Sequence, residues 1–158
     1  MTIRPAAPED VEQIVDVWFD SARHHSALDP ERYHVPDRES ILERYRTGSQ
    51  YPEGISARTT LVAETEMGVV GFVDAWIDTP FDPMLRPMRY CFIADLAVAE
   101  SRRSHGIGER LMRAAEEWAK AQDARYVVLA AEVNNPRAIA FYQRAGYRPA
   151  ATTLLRWI

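Results

Sequence analysis

The sequence of 158 residues predicts one α/β domain, residues 1–158, in which helices flank a mixed β-sheet. A β-branched hairpin spans residues 60–77, and two strand-then-helix units follow it through residues 89–119 and 125–145. Before the hairpin, apolar residues recur at helical spacing. A chain of this length can bury a core without a disulfide or a structural metal.

The N-terminal half begins with a strand at residues 2–5, and Pro8-Glu9-Asp10 is typical of a helix start. One face of this first helix is apolar: Val11, Ile14, Val15, Trp18 and Ala22. Residues 24–36 are expected to be irregular, and Asp37 to cap a second helix carrying Ile41, Leu42 and Tyr45. A loop at residues 48–58 precedes hairpin strands at 60–65 and 69–77.

The C-terminal half continues with a three-proline loop at residues 79–87. Its Phe81, Met84 and Leu85 suit an ordered hydrophobic loop equally well as a substrate or dimer contact. Residues 89–98 are expected to form the central strand. The next helix carries a core stripe: Ile107, Leu111, Ala115, Trp118 and Ala119. A strand at 125–133, a helix at 136–145 closed by Gly146, and a final strand at 147–157 complete the prediction.

Composition limits the partners and the compartment. The net charge is −4, and no basic cluster is long enough to follow a nucleic-acid backbone, so nucleic acid is not an expected partner. There is no signal-like leader and no membrane-length apolar run. The single cysteine, Cys91, lies in an apolar strand and is expected to be buried, which fits a cytoplasmic protein. Only Lys120 among 19 basic residues is a lysine, as in GC-rich bacteria.

A glycine loop between strand and helix is the most informative segment. Gly106 and Gly108 remove Cβ atoms where a helix N-terminus follows, which favours an anionic ligand, although such a turn is also common as plain structure. A dinucleotide loop would need a third glycine where Leu111 stands, and a mononucleotide loop would need Gly-Lys-Ser/Thr. The pattern that remains is Arg/Gln-x-x-Gly-x-Gly/Ala, beginning at Arg103.

A second motif lies downstream of this loop. The pattern Asn-x-x-Ala-x-x-x-Tyr-x-x-x-Gly-Phe/Tyr is matched at Asn135, Ala138, Tyr142, Gly146 and Tyr147. With both motifs in order, the chain resembles the GNAT superfamily of N-acetyltransferases over essentially its whole length. The resemblance implies a mostly antiparallel central sheet, splayed where acetyl-CoA binds.

The same resemblance implies a set of coenzyme contacts. The pyrophosphate would lie on the backbone amides of Arg103, Ser104, His105, Gly106, Ile107 and Gly108. The pantetheine arm would pair with the backbone of Leu96, Ala97 and Val98. Asn135 and Phe141 would also contact the coenzyme, and Asn135 is equally suited to a plain helix cap.

Two side chains are candidates for proton transfer. Tyr142 matches the family tyrosine that protonates the departing thiolate, and a phenol keeps its proton at neutral pH. Asp95 is the carboxylate expected nearest the reaction, with Glu132 and Asp74 behind it; an acid on a strand is more often a structural acceptor. Phe92 stands where histone-acetylating members carry a glutamate, which counts against a histone substrate.

The acceptor side is predicted less fully. His24, His25, His34 and Tyr33 fall in the family's acceptor wall, and they lack partners at metal-ligand spacing. The expected activity is direct acetyl transfer to a primary amine of a small molecule, an amino acid or a protein N-terminus. A non-catalytic acyl-CoA-binding regulatory module and a transferase using another acyl-CoA remain alternatives, and a homodimer is compatible with the sequence.

Overall fold

A computed structural model describes all residues, 1–158. The strands are β1 (Thr2–Pro5), β2 (Ala57–Thr65), β3 (Gly68–Asp78), β4 (Tyr90–Val98) and β5 (Tyr126–Leu129). The helices are α1 (Val11–Leu28), α2 (Arg38–Thr47), α3 (Ile107–Ala121) and α4 (Pro136–Arg144). Single 3₁₀ turns at Pro8–Asp10 and Glu100–Arg102 precede α1 and the glycine loop. No helix has both the length and the apolar character needed to cross a membrane.

The five strands form one sheet in the order β1-β2-β3-β4-β5. Neighbours are antiparallel except β4 and β5, which are parallel, so the predicted mixed and mostly antiparallel sheet is confirmed. The expectation that β4 is central is wrong. The β2–β3 hairpin pairs with β1 on one side and β4 on the other, which puts β3 in the middle and β4 beside the edge strand.

The two faces of the sheet bury different helices because strand side chains alternate. On one face, α3 packs through Leu111, Met112 and Ala115 against the sheet, which confirms the predicted stripe. On the other face, Ile14 of α1 packs with Phe72 of β3. A smaller cluster joins α1 to α2: Val15, Phe19, Ile41 and Leu42.

The limits of α2 follow the sequence signals, whereas α1 is longer than expected. The Asp37 side chain accepts a hydrogen bond from the Ser40 amide (2.9 Å), and Gly48 ends α2 with φ of 74°. Helix α1 continues to Leu28. The prediction that residues 24–36 are irregular is therefore wrong for residues 24–28, which are helical. There the Asp29 amide donates to the His25 carbonyl (3.0 Å), which closes one more helical turn.

The sheet opens between β4 and β5. These strands pair only from Tyr90↔Tyr126 to Ile93↔Leu129. Ala94 is bulged out of the β3–β4 register, because Asp74 pairs with Asp95 but Ala75 pairs with Ile93. The strand predicted at 125–133 is therefore too long. Beyond the bulge, β4 and the segment after β5 separate, which gives the expected splay in the sheet.

The predicted final strand at 147–157 is wrong. Gly146, with φ of 92°, ends α4 as expected, and the Tyr147 amide donates to the Tyr142 carbonyl (3.0 Å). From there to Ile158 the chain has no regular structure, and every residue from Arg148 onward is exposed. A strand needs a hydrogen-bonded neighbour, and within this chain the segment has none.

Candidate active site

The glycine loop leaves β4 and turns into α3. Ser104 and Gly106 both have left-handed backbone, with φ of 67° and 73°. A Cβ on Gly106 would meet nothing within 4 Å, so the outer side of the loop is open. The His105 Nδ1–H donates to the Arg103 carbonyl (2.7 Å), which folds the ring back on the loop. The turn therefore leaves the backbone around Gly106 open to solvent.

The first turn of α3 offers hydrogen-bond donors to a ligand. The earliest helical bond runs from the Arg110 amide to the Gly106 carbonyl (3.2 Å), so the amides of Ile107, Gly108 and Glu109 have no acceptor within the helix. They lie at the positive end of the helix dipole. An open loop with free amides fits the pyrophosphate of a coenzyme A ester. The Arg103 Nε–H donates to the Val98 carbonyl (3.2 Å) and ties the loop to β4.

Helix α4 lies beside this loop. The Phe141 ring would be 3.5 Å from a Cβ on Gly108, so Phe141 borders the start of α3. Asn135 caps α4 by accepting from the Ala138 amide (3.2 Å), which confirms its structural role. Tyr142 packs against the core on the α3 side of the sheet. Burial, with a smaller contribution from the charge of Asp95, raises the pKa of Tyr142 to about 12.

Asp95 lies on the opposite face of the sheet from Tyr142. It is paired with Asp74 across β3 and β4, and it shares the α1 face of the sheet with Ala97, two residues on. The side chain is partly buried. Burial raises the pKa of Asp95, and the nearby charges of Arg44 and His25 oppose this rise. Asp95 and Tyr142 thus lie on opposite faces of the sheet, and they are close enough for the charge of Asp95 to help raise the pKa of Tyr142.

Asp74 is held in a closed hydrogen-bond network. It is 1% exposed and accepts from the hydroxyls of Tyr45 (2.7 Å), Tyr51 (3.2 Å) and Thr60. Burial raises the pKa of Asp74 to about 6, although the three hydroxyl donors lower it. This carboxylate does not reach the opening, and its role is that of a buried acceptor.

The chain between α1 and α2 reaches across the opening to the segment after β5. The Tyr33 hydroxyl and the Arg32 guanidinium (2.9 Å) both donate to Glu132, and the Tyr33 hydrogen bond is the main reason that the pKa of Glu132 is lowered. The rings of His25 and Tyr33 are 5.4 Å apart. His24 faces Asn135, with a pKa lowered mainly by burial, whereas His34 is exposed. His25 and Tyr33 therefore lie together beside Glu132, and the acceptor wall itself stays a prediction.

Three residues of this face were missed by sequence reasoning. Arg44 lies near Asp95, Tyr45 binds Asp74, and the Trp76 ring lies 4.8 Å from that of Phe92. Trp76 could have been found from the two-residue period of β3, which puts it on the face of Asp74. No sequence period relates the residues of helix α2 to strand β4. Arg44 and Tyr45 therefore could not have been identified as site residues from the sequence.

One surface cavity lies apart from the residues described above. A cavity of about 590 Å³ lies outside α1 against the β2–β3 turn, and its lining includes Asp16 and Arg38, which form an ion pair of 2.8 Å. It does not border Asp95 or Tyr142. No group of three His, Cys, Asp or Glu residues is placed to hold a metal ion.

The mixed, mostly antiparallel sheet that opens beside the N-terminus of α3 is a GNAT-like fold. The sequence profile described as Acetyltransferase (GNAT) family matches residues 16–147, and the chain belongs to this family. Membership indicates an acyltransferase, and acetyl-CoA is the donor that the family uses. The comparison with curated proteins found no match.

Solved structures with the same fold span the full chain. The tetramutant of the BH1408 protein from Bacillus halodurans is 22% identical, with 100% of both chains covered and a TM-score of 0.88. A proposed acetyl transferase from Pyrococcus furiosus is 26% identical over 99% of both chains, with a TM-score of 0.76. The aminoglycoside antibiotic 6'-N-acetyltransferase AAC(6')-IG from Acinetobacter haemolyticus is 16% identical, covering 100% of this chain and 98% of that one, with a TM-score of 0.74.

Proposed function

We propose that this protein is an N-acetyltransferase that moves an acetyl group from acetyl-CoA directly to a primary amine. The acceptor is a small molecule, an amino acid or a protein N-terminus. The observation that supports this most is that Asp95, where β4 separates from β5, is close enough to Tyr142 for its charge to help raise the pKa of the phenol. A thioester in the opening would have a carboxylate on one side and a phenol on the other.

The donor side supplies binding and polarisation. The amides from Arg103 to Gly108 are proposed to hold the pyrophosphate. The backbone of Leu96, Ala97 and Val98 has no strand partner on the β5 side, which leaves amides and carbonyls for the pantetheine arm. An amide donor aimed at a thioester carbonyl stabilises the developing negative charge, and losing such a donor costs roughly 3 to 4 kcal/mol elsewhere.

The two candidate proton carriers account for the rest of the transfer. Asp95 takes the proton that the amine loses as its nitrogen bonds to the acetyl carbon. Tyr142 donates its hydroxyl proton to the sulfur as the carbon–sulfur bond breaks. A raised pKa brings Asp95 nearer to the operating pH, which suits a general base, and keeps Tyr142 protonated until charge develops on sulfur.

The acceptor is proposed to enter from the α1–α2 side. There the Trp76 and Phe92 rings, tilted by 31° with centroids 4.8 Å apart, lie on the same face of the sheet as Asp95, and such a surface suits a cationic or ring-bearing amine. One lysine among 19 basic residues and a buried thiol support a bacterial, cytoplasmic enzyme.

The test is a thiol-release assay in which acetyl-CoA is supplied with pools of amines. We expect one or more pools to release coenzyme A, and mass spectrometry to find the acetyl group on amine nitrogen. Parallel reactions with propionyl-CoA and succinyl-CoA would show whether another acyl donor is preferred. If acetyl-CoA binds tightly in calorimetry but no pool reacts, the chain is instead a binding module.

A further inference from the structure

Helix α2 carries one arginine that has no acidic partner. Arg38 and Arg46 both form ion pairs with Glu12 of α1, at 2.8 and 3.3 Å. Arg44 is exposed and forms neither an ion pair nor a side-chain hydrogen bond. Residues two apart lie about 200° apart around a helix, so Arg44 projects away from the side of α2 on which Arg46 meets α1. Its guanidinium is therefore open to a ligand.

The residue next to Arg44 shows where this turn of α2 lies. The Tyr45 hydroxyl donates to Asp74 (2.7 Å), and the Tyr45 ring packs edge-on against Phe72 with centroids 5.9 Å apart, so the turn lies over β3. Asp95 is the partner of Asp74 in the β3–β4 register. The charge of Arg44 acts on Asp95, where it opposes the effect of burial on the carboxyl pKa. Arg44 and Asp95 therefore face the same part of the site without forming an ion pair.

Asp95 likewise has no partner. Its side chain is partly buried and accepts no hydrogen bond, whereas the neighbouring Asp74 accepts three. A carboxylate that is partly removed from water without a donor gains from a cationic ligand. On the same side of the sheet, the Arg32 guanidinium is already bound to Glu132 (2.9 Å). A carboxylate and a guanidinium are thus left free near each other.

An aromatic surface adjoins these two charges. The Trp76 ring lies 4.8 Å from that of Phe92 and 6.2 Å from that of Tyr51, and all three side chains are half-buried. The register places the Trp76–Phe92 pair next to the Asp74–Asp95 pair along the sheet, on the same face. Partly exposed rings on a sheet offer a surface for a flat or apolar group.

We propose that the acceptor is a free α-amino acid with a large apolar or aromatic side chain, held by Arg44 through its carboxylate and by Asp95 through its amino group. Its side chain lies on Trp76 and Phe92. An α-amino acid carries both charges on one carbon atom, so it can bridge a carboxylate and a guanidinium that are close but not in contact. A polycation would meet Arg44 as a like charge, and a protein N-terminus has an amide where the carboxylate would be.

The reaction at this acceptor is a direct transfer. The ammonium first gives one proton to solvent, and the neutral nitrogen then bonds to the acetyl carbon while the carbon–sulfur bond breaks. The second nitrogen proton passes to Asp95 and the Tyr142 proton to sulfur, so the products are an N-acetyl amino acid and coenzyme A. The inference rests on the proposed function, because it names the acceptor of that same site.

The first test compares L-phenylalanine with L-phenylalaninamide, whose carboxylate is replaced by a neutral amide, at saturating acetyl-CoA. The ratio of their kcat/KM values should fall about 10-fold or more in Arg44→Gln, since a charge-assisted hydrogen bond contributes on that scale. In Arg44→Glu the ratio should fall further. The matched control is Arg46→Gln, an exposed arginine of the same helix, and it should keep the wild-type ratio. A ratio that is the same in Arg44→Gln as in the wild type would overturn the proposal.

A second test separates this inference from the proposed function. L-phenylalanine and L-alanine are titrated by calorimetry into protein saturated with coenzyme A, where no acetyl group can move. We expect L-phenylalanine to bind more tightly than L-alanine, to weaken in Arg44→Gln but not in Arg46→Gln, and to lose its advantage in Phe92→Leu. If other amines are acetylated while L-phenylalanine neither binds nor reacts, the proposed function stands and this inference fails. Binding that requires Arg44, with no transfer to any amine, would support the amino-acid site and overturn the proposed function.

Discussion

At the scale of single residues, the proposed chemistry depends on where two protons sit. Burial raises the pKa of the Tyr142 phenol to about 12, so at neutral pH the hydroxyl is protonated and can act as a proton donor but not as a base. Asp95 has the opposite task, because a raised carboxyl pKa makes it a stronger proton acceptor once ionised. The same cause, removal from water, suits one group to donate and the other to accept.

Replacing Tyr142 by phenylalanine removes the proton and little packing. We predict that turnover falls roughly 100-fold or more while the affinity for acetyl-CoA stays within twofold, since general acids contribute on that scale. Steady-state kinetics and calorimetry on the same preparation would measure both. The control is Tyr126→Phe, which changes an exposed tyrosine stacked on Tyr90 and should be silent. Unchanged turnover in Tyr142→Phe would assign the acid role to water.

Asp95→Asn removes the proposed base. Since the base acts when ionised, wild-type kcat/KM should fall as pH is lowered through a midpoint above the usual aspartate range, because burial raises the pKa of Asp95. The asparagine variant should lose about 100-fold or more at neutral pH and lack that acidic limb. Asp123→Asn, at an exposed left-handed position that asparagine tolerates, is the control. An acidic limb that survives in Asp95→Asn would exclude Asp95 as its source.

At the scale of elements, the start of α3 is expected to hold the pyrophosphate through backbone amides alone. A Cβ at Gly108 would make only ordinary contacts with Phe141 and Val98, so substitution there should leave the fold intact. We predict that Gly108→Glu abolishes the thermal stabilisation given by acetyl-CoA, because its carboxylate repels the phosphates. Gly108→Ala separates bulk from charge and should keep part of the effect. Full stabilisation of a folded Gly108→Glu protein would contradict a phosphate site here.

Hydrogen bonds to Glu132 join the segment between α1 and α2 to the segment after β5. Tyr33→Phe removes one of the two donors to Glu132 and leaves the ring beside His25. We predict that the Michaelis constant for the amine rises several-fold at saturating acetyl-CoA, while acetyl-CoA affinity is unchanged. Tyr90→Phe, at the far end of β4, should alter neither. A loss confined to acetyl-CoA affinity would place the acceptor elsewhere.

At the scale of the whole molecule, the buried Asp74 makes stability depend on pH. Its pKa of about 6 in the folded protein exceeds the ordinary value of 3.8, so the folded state holds this proton more tightly than the unfolded state. The resulting stabilisation is complete below pH 4 and is lost as pH rises through 6. Asp10, whose pKa is lowered mainly by its hydrogen bond to Arg4, contributes in the opposite direction.

Asp74→Asn isolates this effect because asparagine has nearly the same shape and does not titrate; its amide oxygen can still accept from Tyr51 and Thr60, while its NH2 group, which replaces the acceptor of the Tyr45 hydroxyl, can donate to that hydroxyl oxygen. We predict that the unfolding free energy of the wild type falls by about 2 kcal/mol relative to the variant between pH 4 and pH 7. Urea unfolding of both proteins at one concentration and several pH values would measure the difference. A difference that stays constant across this range would mean that Asp74 titrates normally in the fold.

The sequence by itself determined what depends on local chemistry and short periods. Asp37 starts α2, Gly146 ends α4, and the stripe that includes Leu111 faces the core, because caps and periodicity act within a few residues. The glycine loop and the tyrosine motif were enough to indicate the family. The candidate residues Asp95 and Tyr142 came from that resemblance, although the chain alone gave no distance between them.

Tertiary structure decided everything that depends on which segments become neighbours. The bulge at Ala94 shortened β5 and opened the sheet. Helix α2, which no sequence pattern relates to β4, brings Arg44 near Asp95 and Tyr45 to Asp74. The segment from Tyr147 has the composition of a strand but not its structure, because backbone hydrogen bonds need a partner that this single chain does not provide. Local sequence sets what a segment prefers, and only the assembled fold supplies the partners that let it satisfy that preference.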